Sequence, residues 1–483
     1  MLGKYRRAAP LLFFALPLAL SAGCGGANKP AEKPLSPSDS AAVLEARRLD
    51  DPRLLSFIAA AERLQAPAPQ APPAAPPPWS LGALTLAALY FHPDLDVARS
   101  ALANAQASTV TAAERPNPSV AFVPPPFLFG GVVNVVLETF GKRDARIDQA
   151  DARVVAARHD LEEAGWQVRA GVRTALLALW QAEERQRLLT AERAPMALLV
   201  SAMASRVALG NASAPELGAA RITLAGLDRQ RLDADHAALG ARAALAAAIG
   251  VPARALAGVA INFDAFAQPP PIAGDIADGA LRRAALTSRA DVQAALANYA
   301  AAQAALREQL ANRYPNLVLS PGYNWYQGIN AFALAPGFDL PILNQNQGRI
   351  GEAAARRNAE AARFLALQAK IIAGVDQAGA RYRAAAESMA AAALLLAEEQ
   401  RRAAALARAY RMGAADEPAR LTGAIELARA RATWFDAEAA ERQARGELED
   451  ALQQPLLDTA RLPDLAIAPR AEFAGTVPAE IPK

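Results

Sequence analysis

The chain has 483 residues, 53% of them hydrophobic and only 6% aromatic, with 35 prolines and a single cysteine. One cysteine excludes an intrachain disulfide framework, and an alanine-rich chain with few aromatics favours elongated helical packing over several compact cores. The 51 Lys and Arg exceed the 48 Asp and Glu by three, an excess carried by Lys4, Arg6 and Arg7 at the N-terminus, so the rest of the chain is neutral and has no electrostatic footprint for nucleic acid.

Those three cations precede an apolar run over residues 8–20 and then Ser21-Ala22-Gly23-Cys24. A basic start, a short apolar run and small residues before a cleavage point are the layout of a secretory signal, and the run is too short to span a bilayer. Cys24 stands where a lipobox places the thiol that is acylated and becomes the mature N-terminus. Gly25 and Gly26 follow it, with no aspartate to hold a lipoprotein in the inner membrane, which favours the outer membrane of a Gram-negative cell. Residues 1–23 thus read as a lipoprotein signal peptide. Residues 24–79 read as a lipid-anchored, Pro-rich tether with a short helical stretch over 41–65.

Beyond the tether the chain repeats itself. Asp94, Gln106 and Pro118 recur 197 positions later as Asp291, Gln303 and Pro315. Arg146, Arg153, Gly171, Gly210, Pro215, Leu224, Asp233 and Pro252 recur 203 positions later as Arg349, Arg356, Gly374, Gly413, Pro418, Leu427, Asp436 and Pro455. A fixed period of this size marks one architecture used twice. The units cover residues 80–265 and 280–457, joined by a proline-containing linker over 266–279 and followed by a C-terminal tail over 458–483.

Each unit opens with a helix, over residues 83–115 and 280–313, that Pro116 or Pro315 prevents from continuing. A pair of strands follows, over about 118–140 and about 316–343. In the second unit Leu317, Leu319, Tyr323 and Trp325, then Phe332, Leu334, Phe338, Leu340 and Ile342, alternate with small or polar residues. In the first unit Val133, Val135 and Leu137 alternate with Asn134 and Glu138, while Pro124, Pro125 and Pro126 interrupt its first strand. A very long helix comes next, over residues 141–209 and 348–412. Ile147, Val154, Leu161, Val168 and Ala175 in one, and Phe364, Leu367, Ile371, Val375, Ala378 and Tyr382 in the other, form an apolar seam of the coiled-coil kind. Glu183 with Arg187, Glu352 with Arg356 and Glu398 with Arg402 have i,i+4 spacing, and Pro195 is expected to kink the first helix. Each helix turns at Gly210 or Gly413, and a return helix runs to Pro252 or Pro455.

A strand with one apolar and one small or polar face suits a half-buried sheet or a barrel wall between lipid and lumen. Four strands cannot close a transmembrane barrel, and open strand edges in hydrocarbon leave backbone groups unpaired at several kcal/mol each. Copies of the chain must therefore complete the barrel, and the sequence alone leaves two, three or four copies open.

The order helix, hairpin, long helix, turn, helix over about residues 80–457 resembles the TolC family of outer-membrane efflux proteins. Gly141-Lys142-Arg143 and Asn344-Gln345-Asn346-Gln347-Gly348-Arg349-Ile350 resemble its heavy-metal cation efflux branch, the CusC and CzcC type. The resemblance implies a mainly α fold with a small β part, in which a homotrimer closes a twelve-stranded barrel continuous with a periplasmic α-helical barrel. It also implies docking of a periplasmic adaptor protein at the tips, with an inner-membrane pump behind it. The tip residues carried over are Arg206, Leu209, Gly210, Glu216 and Leu217 in the first unit and Arg411, Met412, Gly413, Glu417 and Leu421 in the second. Pro418-Ala419 departs from the family pattern, which puts the second tip's adaptor contact in question. Acidic rings narrow the tip in such ducts, so Asp416 and Glu417 are candidates for a cation-favouring constriction, with Glu138 and Asp339 facing the lumen near the barrel base.

Sites of chemistry are absent from the pattern. His92, His159 and His236 are far apart and no His or Cys pair has metal-ligand spacing, so no resident metal or other cofactor is expected. Gly141-Lys142 lacks the rest of a phosphate loop, with Val136 and Arg143 where Gly and Ser or Thr are required, and no nucleophile elbow occurs. The expectation is an exit duct and not an enzyme. The alternative is a periplasmic coiled-coil adaptor or scaffold lipoprotein without a pore, which should carry one hairpin flanked by small β domains.

Overall fold

A computed structural model describes residues 34–65, 78–123, 129–272, 279–457 and 463–465. The signal peptide, Cys24, the proline run of the tether, Pro124 to Pro126 and most of the tail lie outside the described residues. Two units are separable; the described residues of one are 34–46 and those of the other lie within 47–465. Within the first, helix α1 (Pro37–Glu45) begins where the Ser36 side chain accepts the Asp39 N–H.

The second unit carries α2 (Pro52–Gln65), α3 (Leu81–Phe91), α4 (Pro93–Ala113), β1 (Ser119–Val123), β2 (Phe129–Leu137), α5 (Lys142–Ala208) and α6 (Ala214–Ile249). After a 3-10 turn (Ala253–Leu256) and the short α7 (Asp264–Ala267) come α8 (Gly279–Ser288), α9 (Ala290–Ala311), β3 (Leu317–Tyr326), β4 (Ile329–Gly337), α10 (Gln347–Arg411) and α11 (Glu417–Leu452). The helical stretch expected over 41–65 is two helices, α1 and α2, because Pro52 opens a new helix and cannot continue the old one.

Each repeat's opening helix is also two helices. In the first repeat His92 adopts an extended backbone (ψ 125°) and caps α4 by accepting the Asp94 N–H on Nδ1; Pro93 excludes a helical conformation at the residue before it. Arg289, 197 positions on, breaks the second helix at ψ 139° without any proline. Its guanidinium donates to the carbonyls of Asp450 (3.1 Å) and Ala451 (2.6 Å) and to the Asp291 carboxylate (2.7 Å). The same bend is therefore local in one repeat and tertiary in the other.

The long helices match their expected spans, at 67 and 65 residues, or roughly 100 Å each at 1.5 Å per residue. Helix α5 runs through Pro195 without interruption. Of the expected i,i+4 pairs only Glu352–Arg356 forms, at 3.5 Å. Arg187 and Arg402 turn to Glu184 and Glu399, one residue closer in spacing, and Glu183 instead takes Arg242 of α6 at 3.0 Å.

Packing is concentrated where α5 meets α3, α6 and α11. Leu84, Leu89, Leu176, Leu179, Leu245 and Phe266 are wholly buried there, with Trp180 stacked on Phe266 and edge-on to Phe435. A smaller cluster gathers Ile371, Val375 and Ala378 of the second seam with Leu448 and Leu452. Beside the first cluster, Arg169 and Arg173 of α5 meet Glu449 of α11 at 3.2 and 3.1 Å in a nearly solvent-free site. The second Glu449 oxygen accepts the Leu456 and Leu457 N–H groups. Every carboxylate oxygen is thus paired, which is the condition under which a buried charge is tolerated.

Candidate transport path and tip turns

The four strands form one antiparallel sheet in the order β1-β2-β3-β4, so the two repeats share a sheet through β2 and β3. Register places Val120 opposite Val133, Val135 opposite Leu319, and Tyr323 between Gly131 and Phe332. One face consequently carries Val120, Phe122, Val133, Leu319, Tyr323, Trp325, Phe332 and Leu334. The other carries Ser119, Ala121, Asn134, Ser320, Asn324, Ala331 and Ala333, interspersed with Val132, Val136, Val318, Tyr326 and Ile329. The apolar face is exposed, with Phe122 at 71% and Phe332 at 84%, whereas on the other face Ser320 donates to Asn134 across the repeat boundary at 2.7 Å. Tyr323 packs on Phe332 at 5.2 Å between ring centres. Glycines make room for this order: a Cβ on Gly130 would lie 2.2 Å from Asn324 Oδ1 and 2.8 Å from the Tyr323 carbonyl.

Strand β4 ends at Gly337, so Phe338, Leu340 and Ile342, expected within the strand, lie beyond it. The Ile342 N–H reaches back to the Leu340 carbonyl at 2.8 Å around Pro341, a tight turn that takes the chain out of the sheet. At the outer strands, β1 and β4, no further strand is paired among the described residues.

Glu138 follows Leu137 and falls on the side of Asn134. Arg146 of α5 donates to both of its oxygens, one at 3.0 Å, and this pairing holds the Glu138 carboxyl below the usual carboxylate range. Lys142, beside it, donates to the Tyr314 carbonyl and Asn316 Oδ1, tying the base of the first hairpin to the second. Asp339 is exposed and has no hydrogen-bond or ion-pair partner among the described residues.

At the far end of the long helices the two turns are built alike. Gly210 and Gly413 have φ of 76° and 74°. The Gly210 and Asn211 N–H groups reach the Val207 and Arg206 carbonyls, and Gly413 and Ala414 repeat this on Tyr410 and Ala409. This double closure of a helix end needs a left-handed residue, which glycine supplies without strain. Just before each glycine stands an exposed apolar side chain, Leu209 at 75% and Met412 at 76%.

The other tip candidates divide by environment. Leu217 and Leu421 are buried, at 8% and 1%, and so offer no exposed surface for docking. Glu216 closes a capping box with Ser213 and so serves its own helix. Asp416 caps α11 through the Ala419 N–H at 3.0 Å and accepts Arg206 of the other tip at 2.9 Å. Glu417 lies 3.5 Å from Arg420, and Arg411 is exposed. The Arg206–Asp416 bond escaped sequence reasoning because its ends are 210 positions apart. No group of three His, Cys, Asp or Glu able to hold a metal occurs among the described residues.

Residues 127–251 match the family model of outer membrane efflux protein. The chain is 28% identical over 220 residues to the cobalt-zinc-cadmium resistance protein CzcC of Cupriavidus metallidurans, a stretch covering 45% of this chain. The chain spans about half (51%) of the length of this curated relative. Among solved structures, the outer-membrane channel OprN superposes with a TM-score of 0.63 at 19% identity, covering 78% of this chain and 91% of OprN. The outer membrane protein VceC of Vibrio cholerae gives 0.63 at 18% identity over 77% and 95% of the two chains. CusC, described for its transmembrane channel formation, gives 0.62 at 18% identity over 80% and 99%. OprN and CusC are described as membrane channels. By sequence match over residues 127–251 and by fold over most of its length, the chain is similar to the outer membrane efflux proteins.

Proposed function

We propose that this protein is the outer-membrane exit duct of a tripartite efflux system, a passive path for small solutes from periplasm to exterior. The observation that carries this reading is the sheet: an exposed apolar face rich in aromatic residues, an opposite face that mixes small and polar residues with valines, and two outer edges unpaired among the described residues. Such a sheet is stable in hydrocarbon only when its edges are closed, and copies of the chain, three by likeness to the family, would close it into a barrel. Helices α5 and α10 then continue the wall into the periplasm. Leu209 and Met412, with Arg206 and Arg411 beside them, offer the periplasmic adaptor a paired apolar and basic surface at the tips. An inner-membrane pump supplies the energy through that adaptor.

Cys24 would anchor the assembly to outer-membrane lipid through the tether. The relation to a cobalt-zinc-cadmium resistance protein favours heavy-metal cations as the exported solute; cargo choice belongs to the pump, so the duct requires no metal site of its own. The deciding experiment combines the oligomer mass of the purified protein with single-channel conductance in planar bilayers. Discrete conductance from an oligomer is expected, and a non-conducting monomer would overturn the duct in favour of a scaffold lipoprotein.

A further inference from the structure

The two repeats meet along a seam inside the chain, where β2 pairs with β3 and α5 packs against α9 and α11. Ion pairs run down its length: Asp148–Arg307 (2.9 Å), Arg169–Glu449 (3.2 Å), Arg185–Asp436 (3.4 Å), Glu192–Arg429 (2.9 Å) and Arg206–Asp416 (2.9 Å). If copies close the duct, the duplication requires a second seam. There the second repeat of one copy would meet the first repeat of the next, β4 against β1 and α10 against α6 and α4.

Moving each ion pair by the repeat period shows what that second seam contains. Asp148 and Arg307 become Gly351 and Val110; Arg169 and Glu449 become Ile372 and Ala246. Glu192 and Arg429 become Leu395 and Gly226, and Arg206 and Asp416 become Ala409 and Ser213. Arg185 and Asp436 become Ser388 and Asp233, and that aspartate is already engaged by Arg229 at 2.8 Å. None of these pairs has an ionic counterpart.

Burial supports the same division. Ile425 of α11 is 4% exposed because it packs on Leu189 and Met196 of α5, whereas its counterpart Ile222 on α6 is 76% exposed. Phe435, against Trp180, is 5% exposed, and its counterpart Leu232 is 53% exposed. Leu395 of α10 and Val110 of α4 are also exposed, at 47% and 55%. Large apolar side chains on these three helices lie open where their repeat counterparts face the internal seam.

We infer that copies of this chain join through a closely packed apolar seam, α10 of one against α6 and α4 of the next, while ion pairs are reserved for the seam inside each chain. The inference rests on the duct reading and adds to it the register and chemistry of the copy-to-copy contact. The physical basis is that burying apolar side chains stabilises strongly and is little affected by ionic strength, whereas exposed ion pairs contribute little and are screened. An assembly of separate copies needs the first kind, and two repeats tethered by one chain need only register.

The test is site-directed cross-linking in the full-length protein with a short bis-maleimide. Gly226→Cys combined with Leu395→Cys, the accessible counterparts of Arg429 and Glu192, should give dimers and trimers on denaturing gels. The control Glu192→Cys with Arg429→Cys, whose side chains meet at 2.9 Å within one chain, should cross-link within the chain and stay at monomer mass. The Ile222→Asp variant should retain the wild-type circular dichroism melt and lower assembly affinity about tenfold or more. The oligomer fraction of wild type should be unchanged between about 0.1 and 1 M NaCl, over which the screening length falls from about 10 to 3 Å. A conducting oligomer without copy-to-copy cross-links, or one that dissociates in high salt, would overturn the seam and leave the duct standing. A monomer without conductance would overturn both.

Discussion

Arg206 at the end of α5 donates to Asp416 at the start of α11 across 2.9 Å, joining the tip of the first repeat to the tip of the second. The same carboxylate caps α11, so an acid read from sequence as a constriction candidate is already bound twice within its own chain. Both side chains are about half exposed, and a pair of this kind contributes at most about 1 kcal/mol to folding. Its effect is on geometry: it sets the distance between neighbouring turns.

Arg206→Gln should therefore leave the melting temperature within a degree or two, since a stability change under about 1 kcal/mol moves it little in a chain of this size. It should raise single-channel conductance. Asp416→Asn should raise it similarly, and the double variant no further, because both single changes remove one bond. Additive effects in the double variant would separate the two residues.

The Arg169–Arg173–Glu449 site predicts the opposite profile. Glu449→Leu leaves two guanidinium groups and two backbone N–H groups without their acceptor in a buried site. It should destabilise by about 3–5 kcal/mol, seen as a lower denaturation midpoint by circular dichroism. Conductance of the molecules that do assemble should match wild type.

The Glu138–Arg146 pair should make the base of the first hairpin acid-sensitive. Its carboxyl titrates below its unfolded value, so the stabilisation is present above the ordinary carboxylate pKa and is lost as pH falls through the lowered folded value. Glu138→Gln should flatten this part of the stability profile, measured as denaturation midpoints from neutral pH into the acid range.

Gly130→Val should disrupt the hairpin, because its Cβ would have to displace both Asn324 and the Tyr323 backbone. A loss of assembled protein in the membrane fraction is expected. Gly218→Ala, on α6 with nothing within 4 Å of the new Cβ, should be neutral or mildly stabilising by reducing unfolded-chain entropy.

At the tips, Leu209→Asp combined with Met412→Asp should leave conductance and melting unchanged, since both side chains are exposed and make no core contact. The efflux phenotype of cells carrying the variant should be lost. Retained efflux would remove these residues from adaptor docking.

The sequence by itself determined what depends on local pattern: the duplication and its two registers, the helix and strand order, the two-faced strands, and the glycine turns at 210 and 413. These follow from periods of 2 and near 3.6 residues and from the left-handed backbone that a helix end demands. Only the tertiary structure decided what depends on distant partners. The bend at Arg289 is made by carbonyls of α11, whereas its counterpart at His92 is made by the adjoining Pro93. Leu217 and Leu421 have the same local setting as exposed tip residues, but the fold buries them. Asp416 looks like a free acid until the fold brings Arg206 to it. Ion-pair partners on different repeats are more than 150 positions apart, and no local period records them. The duplication nevertheless points to them indirectly, because along the internal seam most charged residues in one repeat have apolar or small counterparts in the other, Asp436 with Asp233 being the exception.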